Sequence, residues 1–228
     1  MYEERPSRLA RAVVWSRTPT PSVQQARVLP DGCMDLIWSD GLLVAGPDTH
    51  AHVVVEGPGT AYTGVRFGPG TGPLVLGVPA HELRDQRVPL SALRPDREVR
   101  ELTEQVAAAS DRGRALEAVA ARASAAHRTP VPLPPLVVDA LERGEPVAGV
   151  ARAVGLSERQ LHRRCLDAFG YGPKTLLRVL RMQRALESAR AGTPLATVAA
   201  QTGYADQAHL ARDVKDLAGL PITALLIR

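Results

Sequence analysis

The sequence predicts a two-domain α+β protein, in which a small β-barrel or sandwich-like domain precedes an all-helical domain. Three observations support this fold class. Residues 9–78 contain short apolar runs separated by Gly, Pro and Asp, the apolar pattern becomes helical from residue 96, and the C-terminal half contains an internal repeat. A chain of 228 residues has room for two domains of the usual size of roughly 100 to 150 residues.

The N-terminal runs have the features of β-strands. They are short and rich in β-branched residues, and turn-forming segments such as 30-PDG-32 and 68-GPGTGP-73 lie between them. We assign residues 1–95 to a β-rich sensory or dimerisation domain. The predicted strands are ARAVVW (10–15), MDLIW (34–38), LLVAG (42–46), HVVVE (52–56) and AYTGVRF (61–67).

Residues 96–128 are predicted to form a helical linker. Two stretches of it carry apolar stripes at helical spacing, and these helices either pair with each other or form the seam of a homodimer. The proline-rich run 127-HRTPVPLPP-135 is stiff and places the domain boundary there, which leaves residues 129–228 as the helical domain. The stripes consist of Val99, Leu102 and Val106, and of Leu116, Val119, Ala120 and Ala123.

Composition places the chain among soluble globular proteins. It is 45% hydrophobic and 23% charged, and no segment has the roughly 20 apolar residues that span a bilayer. The N-terminal segment lacks the features of a signal peptide. Two cysteines, Cys33 and Cys165, are too few for a disulfide framework and lack zinc-ligand spacing. We therefore expect a cytoplasmic protein without membrane contact.

Basic residues are concentrated in the C-terminal part of the chain. Residues 1–127 hold 14 Lys and Arg against 15 Asp and Glu, whereas residues 128–228 hold 14 against 9. Because Lys174 and Lys215 are the only lysines, nearly all of these cations are guanidiniums, which bind phosphates and bases in a bidentate manner. The asymmetry indicates a polyanionic partner.

The internal repeat is the strongest signal in the sequence. The segment 147-VAGVARAVGLS-157 aligns with 195-LATVAAQTGYA-205 at an offset of 48 residues, and one extra residue after the second glycine changes the offset to 49. Both copies end in proline, at Pro173 and Pro221. The matched pairs include Ala151 with Ala199, Gly155 with Gly203, Leu161 with Leu210, and Gly170 with Gly219.

Each copy has the parts of a helix-turn-helix unit. A small residue allows close helix crossing, glycine permits a sharp turn, and Ser157 or Asp206 can cap the second helix, with Ser157 and Gln160 forming a capping box. Two structural helical hairpins are the alternative, but two copies in one register, joined by a helix over about 173–191, favour DNA binding. The predicted core residues are Val150, Val154, Leu156, Leu161 and Leu166, and Val198, Tyr204, Leu210, Val214 and Leu217.

The C-terminal segment from about 136 to 227 resembles the AraC/XylS-type DNA-binding module. The resemblance rests on 155-GLSERQLHRRC-165, 169-FGYGPKTLLRVLRMQRAL-186 and 203-GYADQAHLARDVKDLAGLP-221. It implies two helix-turn-helix units joined by a central helix, double-stranded DNA as the partner, and RNA polymerase as a further partner if the protein is an activator. Cys165, Val214 and Leu217 replace phenylalanines that are usual in the family, which affects packing rather than DNA binding.

Base contacts are expected near the N-terminus of each second helix. In the first unit these are Arg159, His162 and Arg163, and the resemblance implies base contacts at the same three positions. We expect Arg159, Arg163 and Arg212 to contribute most, and Gln207 to specify a base. Lys174, Arg178 and Arg181 begin the joining helix and are either phosphate contacts or structural ion pairs. The candidate DNA-binding residues are Arg159, His162 and Arg163, and Gln207, Ala208, His209 and Arg212; both histidines have plain surface positions as their alternative.

The N-terminal domain offers three weaker candidates for a site. Trp15, Trp38 and Tyr62 either wall a ligand pocket or pack in the core, and core packing is the more common use. His50, His52 and Glu56 have the spacing of a cupin metal box, but a second histidine motif is missing from 64-GVRFGPGTGPLVL-76. Cys33 lies beside Asp31 and Asp35, which raise a thiol pKa, so a structural thiol is favoured over a redox sensor.

The sequence thus predicts a homodimeric bacterial transcription regulator without a cofactor, controlled by an effector through its N-terminal domain. The segments 30-PDGCMDLIW-38, 46-GPDT-49 and 64-GVRFGPG-70 resemble an N-terminal domain that precedes this module in other bacterial regulators. A cupin-like metal-dependent enzyme with a helical assembly tail is the alternative. A DNA-binding protein whose N-terminal domain only dimerises is a further one.

Overall fold

A computed structural model describes residues 2–18, 21–126 and 134–226. It has the predicted α+β architecture, with a β-rich N-terminal domain followed by a helical C-terminal domain. The proposed boundary in the proline-rich run, including the predicted linker end at 128, lies outside the described residues except for the last two prolines. Among the described residues, no helix is both long and apolar enough to cross a membrane.

The N-terminal domain contains two antiparallel sheets. Six strands form an open sheet in the order β1-β2-β7-β4-β5-β8, and β3 pairs with β6 in a second sheet. The larger sheet does not close, so the domain is sandwich-like rather than a barrel. The strands are β1 (Tyr2–Pro6), β2 (Ala12–Arg17), β3 (Gln24–Val28), β4 (Met34–Trp38), β5 (Leu42–Ala45), β6 (His52–Glu56), β7 (Tyr62–Phe67) and β8 (Arg87–Pro89).

The five predicted strands are present, and three further strands did not show in the sequence pattern. Strand β1 is exposed along its whole length, so it has no apolar alternation to recognise. Strand β3 buries Ala26 but exposes its neighbours, and β8 has only three residues. Pairing with neighbours distant in sequence, rather than local pattern, defines these strands.

Helices cover one face of the larger sheet. They are α1 (Gly72–Leu76), α2 (Asp96–Ala107) and α3 (Arg112–Ala126), together with 3₁₀ turns at Ala80–Leu83 and Leu90–Ala92. Val106, Leu116 and Ala120 are fully buried in the core that these helices share with the sheet. The predicted linker helices therefore belong to the N-terminal domain, and the apolar stripes that suggested a dimer seam are covered within one chain.

The C-terminal domain is helical throughout its described part. Its helices are α4 (Pro134–Glu142), α5 (Val147–Ala153), α6 (Glu158–Phe169), α7 (Pro173–Arg190), α8 (Leu195–Thr202), α9 (Gln207–Ala218) and α10 (Ile222–Leu226). Helices α5 and α6 form the first helix-turn-helix unit, α8 and α9 form the second, and α7 joins them as predicted. Both units share a continuous apolar core with α7.

The local devices predicted for the two units are present. Ser157 and Gln160 form a reciprocal capping box at the start of α6, and Asp206 accepts a hydrogen bond from the His209 backbone N–H at the start of α9. Gly155 and Gly203 have φ angles of +68° and +81°, a backbone region that other residues adopt only under strain. The predicted core residues are buried or partly buried in this cluster, except Leu166, which is half-buried and lies outside it.

Candidate nucleic-acid interface

Helix α6 presents a basic outer face. Leu161, Cys165 and Phe169 are buried on its inner side, so the positions opposite them face solvent. Arg159 and Arg163 are exposed and lie one helical turn apart on that outer side. Both are in the N-terminal half of the helix, where a recognition helix meets base edges.

His162 is also exposed, but its ring is directed towards the start of α7. A Cβ atom added to Gly172 would lie 2.6 Å from Nε2 of His162, so the imidazole packs closely over the Gly172 backbone. Gly172 is the residue that precedes the first turn of α7. His162 therefore sits at the flank of the outer face and contacts the joining helix.

Helix α9 has the same arrangement in the second unit. It buries Leu210, Val214 and Leu217 and exposes Gln207, Ala208 and Arg212. The Arg212 Nε donates to the Ala208 carbonyl oxygen at 3.3 Å, one turn earlier on the same helix. The second unit thus offers a polar outer face with Arg212, as α6 does in the first unit.

His209 has a structural environment that distinguishes it from His162. It is half-buried, and its Nδ1 accepts a hydrogen bond from the Ala205 backbone N–H at 3.3 Å. Its ring lies edge-on to the ring of Tyr204, with 5.2 Å between centroids. These contacts close the turn between α8 and α9, so His209 supports the turn rather than the outer face.

The basic residues at the start of α7 divide into two groups. Lys174 is exposed, whereas Arg178 and Arg181 bind the buried carboxylate of Asp213 on α9, at 2.7 Å and 2.9 Å. The Arg181 guanidinium also lies 4.0 Å from the centroid of the Tyr204 ring. Although burial opposes it, hydrogen bonds from Arg181 and Arg178 hold the pKa of Asp213 below its usual value. Sequence reasoning missed Asp213, because an acidic residue in an amphipathic helix carries no signal of burial.

The N-terminal domain contacts the C-terminal ends of both α6 and α9. The Arg84 guanidinium donates to the Gly170 carbonyl oxygen at the end of α6, at 3.4 Å. At the end of α9, Arg27 donates to the Ala218 carbonyl oxygen at 3.1 Å and the Ala51 backbone N–H donates to the Leu217 carbonyl oxygen at 2.7 Å. Cations and N–H donors are favourable at these positions because the last carbonyls of a helix lack partners and carry partial negative charge.

Two further contacts bring the domains together near α6 and α7. Pro47 lies so close to Gly170 that an added Cβ there would be 2.6 Å from the Pro47 ring, and Gly170 has a φ of +81°. The Pro30 carbonyl oxygen accepts a hydrogen bond from the Gln183 amide on α7 at 2.6 Å. Tyr171, the residue after Gly170, is buried, and its hydroxyl has no hydrogen-bond partner among the described residues. None of these contacts is visible in sequence.

The N-terminal candidates are placed on different sides of the larger sheet. Trp15 and Tyr62 line a cavity between the two sheets, while Trp38 is buried on the opposite face, in the core with the helices, with the Arg112 guanidinium 5.6 Å from its ring centroid. Trp38 and Trp15 have opposite orientations in the sheet because side chains of a strand alternate between faces. The three aromatic residues therefore do not wall one pocket together.

The histidine and cysteine candidates have no metal-site geometry. His50 precedes β6, which begins at His52, so the two histidines do not share a strand face. Among the described residues, no group of three His, Cys, Asp or Glu side chains is placed to hold a metal ion. Burial, Asp31 and Asp35 raise the pKa of the Cys33 thiol well above its usual value, in agreement with a structural thiol.

Comparison with known families assigns both parts of the chain. A family model described as a helix-turn-helix domain matches residues 150–227, and a domain of unknown function (DUF6597) matches residues 8–89. The C-terminal domain is an AraC-type helix-turn-helix domain. This AraC-type domain contains both α6 and α9, and its presence supports a function in DNA binding and transcription regulation.

The solved structures similar to the chain include ToxT from Vibrio cholerae, which is 10% identical, with 95% of this chain and 97% of that chain covered and a TM-score of 0.49. Wild-type ToxT from the same organism with a bound unsaturated fatty acid is 9% identical, with 97% of each chain covered and a TM-score of 0.49. Among curated proteins, none is significantly similar in sequence.

Proposed function

We propose that the protein is a sequence-specific regulator that reads DNA with the outer faces of α6 and α9. The observation that carries the proposal is the pair of matched helices, each buried on one side and basic on the other. Held by α7 and a shared core, the two helices are suited to enter successive major grooves, which lie about 34 Å apart on one face of DNA.

Specific bases are assigned by side-chain chemistry. Arg159, Arg163 and Arg212 are proposed to bind guanine O6 and N7, and Gln207 to bind adenine. Ala208 is exposed beside Gln207, where its methyl group suits contact with the thymine methyl. Lys174 is proposed as a phosphate contact, whereas the ion pairs of Arg178 and Arg181 with Asp213 support structural functions for these two residues.

The readout is tested by substituting single arginines and measuring affinity for an operator obtained by selection from random DNA. Arg163→Ala and Arg212→Ala are each expected to weaken specific binding by about 1 to 3 kcal/mol, with relaxed preference at one base position. Arg97→Ala is the matched control, because Arg97 is 87% exposed on α2, outside the AraC-type domain. Affinity equal to that of the control in both variants would refute the assignment.

We further propose that the N-terminal domain controls this interface through the ends of the recognition helices. Support comes from Arg84 at the end of α6 and from Arg27 and Ala51 at the end of α9. One rigid domain that holds both ends fixes the distance between the helices, and a bound effector that changes the N-terminal domain changes that distance. An effector could thus change DNA binding through these contacts, without any contact between the N-terminal domain itself and DNA.

The double variant Arg27→Ala and Arg84→Ala tests whether these contacts with the ends of α6 and α9 control DNA binding. Neither residue belongs to the proposed DNA-reading face, so a change in operator affinity would arise from the spacing of the helices. We expect weaker operator binding and a smaller loss on nonspecific DNA, which depends mainly on phosphate contacts. Operator affinity equal to that of Arg97→Ala would contradict control through these contacts.

The proposed function further includes a homodimer, a cytoplasmic location and, if the protein is an activator, contact with RNA polymerase. The dimer is proposed to use a surface other than the apolar stripes of α2 and α3, since these pack against the core of one chain and are buried or partly buried there. A dimer would present four recognition helices to two half-sites. Sedimentation of the protein with and without the selected operator measures this stoichiometry directly.

A further inference from the structure

The two sheets of the N-terminal domain enclose a cavity of about 250 Å³. The strand register divides its wall into three levels. Arg66, Asp35 and Arg87 lie at one end on neighbouring strands, Trp15, Ile37 and Leu43 form an apolar middle, and Arg17 and Tyr62 lie at the other end. Ala26, Val28 and Val54 close the cavity from the smaller sheet. This space is apolar in its middle, has Arg17 and Tyr62 at one end, and has most of its charged groups at the end with Arg66, Asp35 and Arg87, which is the polar end.

Carboxylates outnumber cations at the polar end. The single guanidinium of Arg66 lies 3.4 Å from an oxygen of Asp35, 3.6 Å from Asp31 and 3.3 Å from Glu4. Arg87, the other cation at this end, forms a two-point hydrogen-bonded pair with Asp48. Asp31 and Asp35 line the cavity, whereas Glu4 is outside its lining. Two lining carboxylates therefore share the one guanidinium of Arg66, which leaves this end of the cavity with an excess of negative charge.

Arg17 does not neutralise this excess. It lies on β2 four residues beyond Val13, which pairs with Arg66, and a strand rises about 3.3 Å per residue. Arg17 is therefore about 13 Å from the level of Arg66 and Asp35 along the strand. His52 also lines the cavity, but burial and nearby Arg87 lower its pKa, so it is mostly neutral at neutral pH.

Asp35 is held in a fixed position by a contact that depends on Gly64. The Trp15 indole donates from Nε1 to Asp35 Oδ1 at 2.6 Å. The ring reaches it by lying across Gly64, where an added Cβ would be 2.4 Å from Trp15 Cε2. Because Gly64 has no side chain, the Trp15 indole can lie there, and its aromatic surface is beside the Asp35 carboxylate. Such a surface attracts cations.

We propose that this cavity binds a small organic cation, a primary amine with an apolar body, whose ammonium group lies against Asp31 and Asp35. The apolar body would occupy the middle level between Trp15, Ile37 and Leu43. The inference rests on the proposed function in one respect, since it names the chemical class of the effector of the N-terminal domain.

An anionic ligand is the competing occupant, and one observation favours it. The Nε of Arg66 is buried and has no hydrogen-bond partner among the described residues, so it could donate to a ligand carboxylate. That carboxylate would also lie beside Asp31 and Asp35, which line the cavity, and repulsion by these two like charges outweighs one added hydrogen bond. A neutral acceptor atom on an amine ligand could receive the same Nε donor without this repulsion. Burial raises the pKa of Asp35 to about 6, and a bound ammonium would lower that pKa by favouring the ionised form.

The test uses three probes that share one ring and differ in the head group: 2-phenylethylamine, 2-phenylethanol and phenylacetate. Binding of each to the full-length protein is measured by ligand-observed NMR and calorimetry without DNA. The amine is expected to bind at least about tenfold more tightly than either of the others. Stronger binding of phenylacetate, equal binding of all three, or no binding of the amine would overturn the proposal.

Two carboxylate variants locate the bound amine. Asp35→Asn is expected to weaken amine binding about tenfold or more while leaving 2-phenylethanol binding unchanged. Asp31→Asn provides the same test at a position that tolerates substitution more easily, because Asp31 is 30% exposed. Asp40→Asn is the matched control, since Asp40 is exposed in the turn between β4 and β5. Amine affinity equal to that of the control in both cavity variants would overturn the assignment.

Failure of this inference and failure of the proposed function give different results. Probe binding is measured without DNA, and operator binding is measured without probe. Loss of operator binding in Arg163→Ala together with the absence of amine binding would refute only the ligand class. Amine binding in a protein that does not bind the operator would refute only the DNA readout.

Discussion

Replacing Asp213 by Asn tests how the second recognition helix is fixed to the rest of the AraC-type domain. The native carboxylate is 7% exposed and accepts hydrogen bonds from Arg178 and Arg181 on α7. Asn preserves the volume, but it removes the charge and turns an N–H donor towards one of the guanidiniums. The substitution therefore weakens the α7–α9 contact without leaving a cavity.

The magnitude follows from the exposure of the two partners. A hydrogen bond to a charged group contributes about 1.5 to 3 kcal/mol. Arg178 is 42% exposed, so hydrogen bonds to water compensate for much of the interaction with the carboxylate that it loses. Arg181 is 16% exposed and keeps its bond to the Gly203 carbonyl oxygen at 3.3 Å and its contact with the Tyr204 ring. We expect Asp213→Asn to lower the free energy of unfolding by about 2 to 3 kcal/mol.

Urea unfolding followed by two probes measures this loss and locates it. Both tryptophans, Trp15 and Trp38, lie in the N-terminal domain, so fluorescence follows that domain, while far-ultraviolet circular dichroism is dominated by the helical domain. Asp216→Asn is the matched control, because Asp216 is on the same helix, 72% exposed and 3.7 Å from Arg178. Its effect should stay within about 0.5 kcal/mol.

The same variant has a pH signature. Because the folded-state pKa of Asp213 is lowered, its stabilisation is present above the ordinary pKa of Asp and is lost as the pH falls through the lowered value. The difference between the wild type and Asp213→Asn should therefore shrink in acid. Equal unfolding midpoints for the Asp213 and Asp216 variants at neutral pH would refute the reasoning.

Three other substitutions test the N-terminal cavity and the turn of the second unit. Asp35 has a folded-state pKa of about 6, raised chiefly by burial. Its favourable contribution to the free energy of unfolding is therefore present below pH 4 and is lost as the pH rises to about 6. In urea titrations, Asp35→Asn should remove this pH-dependent change, which is up to about 3 kcal/mol. Gly64→Ala should displace Trp15, shift its fluorescence and cost about 1 to 3 kcal/mol, whereas alanine at Gly41, where an added Cβ meets nothing within 4 Å, should have little effect. His209→Ala should lower stability by about 1 kcal/mol yet leave base preference in a selected-site assay unchanged, and altered preference would return His209 to the reading face.

Local chemistry explains which parts of the fold were predictable from sequence. The turns and caps of the two units depend on residues a few positions apart, such as Ser157 with Gln160, and α7 begins at the proline that the repeat marked as a boundary. Helical period also predicted α2 and α3, but not what covers them. Their stripes are equally suited to a partner chain or to their own sheet, and only the tertiary structure decides between the two.

Contacts between distant residues explain the remainder. Strand β3 is defined by pairing with β6, which follows it by more than 20 residues, and the burial of Asp213 depends on two arginines of another helix. The exposure of the residues proposed to read DNA was predictable, because exposure at the start of a helix follows from its period. The contacts that stabilise these helices and the contacts with the N-terminal domain were not predictable, because they join residues that are far apart in the sequence.

Strand β3 and the turn after it connect the cavity to the recognition helices within one short segment. Ala26 and Val28 line the cavity, while Arg27 between them donates to the end of α9, as the alternation of strand side chains requires. The carbonyl of Pro30 accepts from α7, and Asp31, the next residue, lies at the charged end of the cavity. Consecutive residues of this segment alternate between the cavity and the C-terminal domain, so we expect an occupant of the cavity that displaces this strand to displace the end of α9 as well.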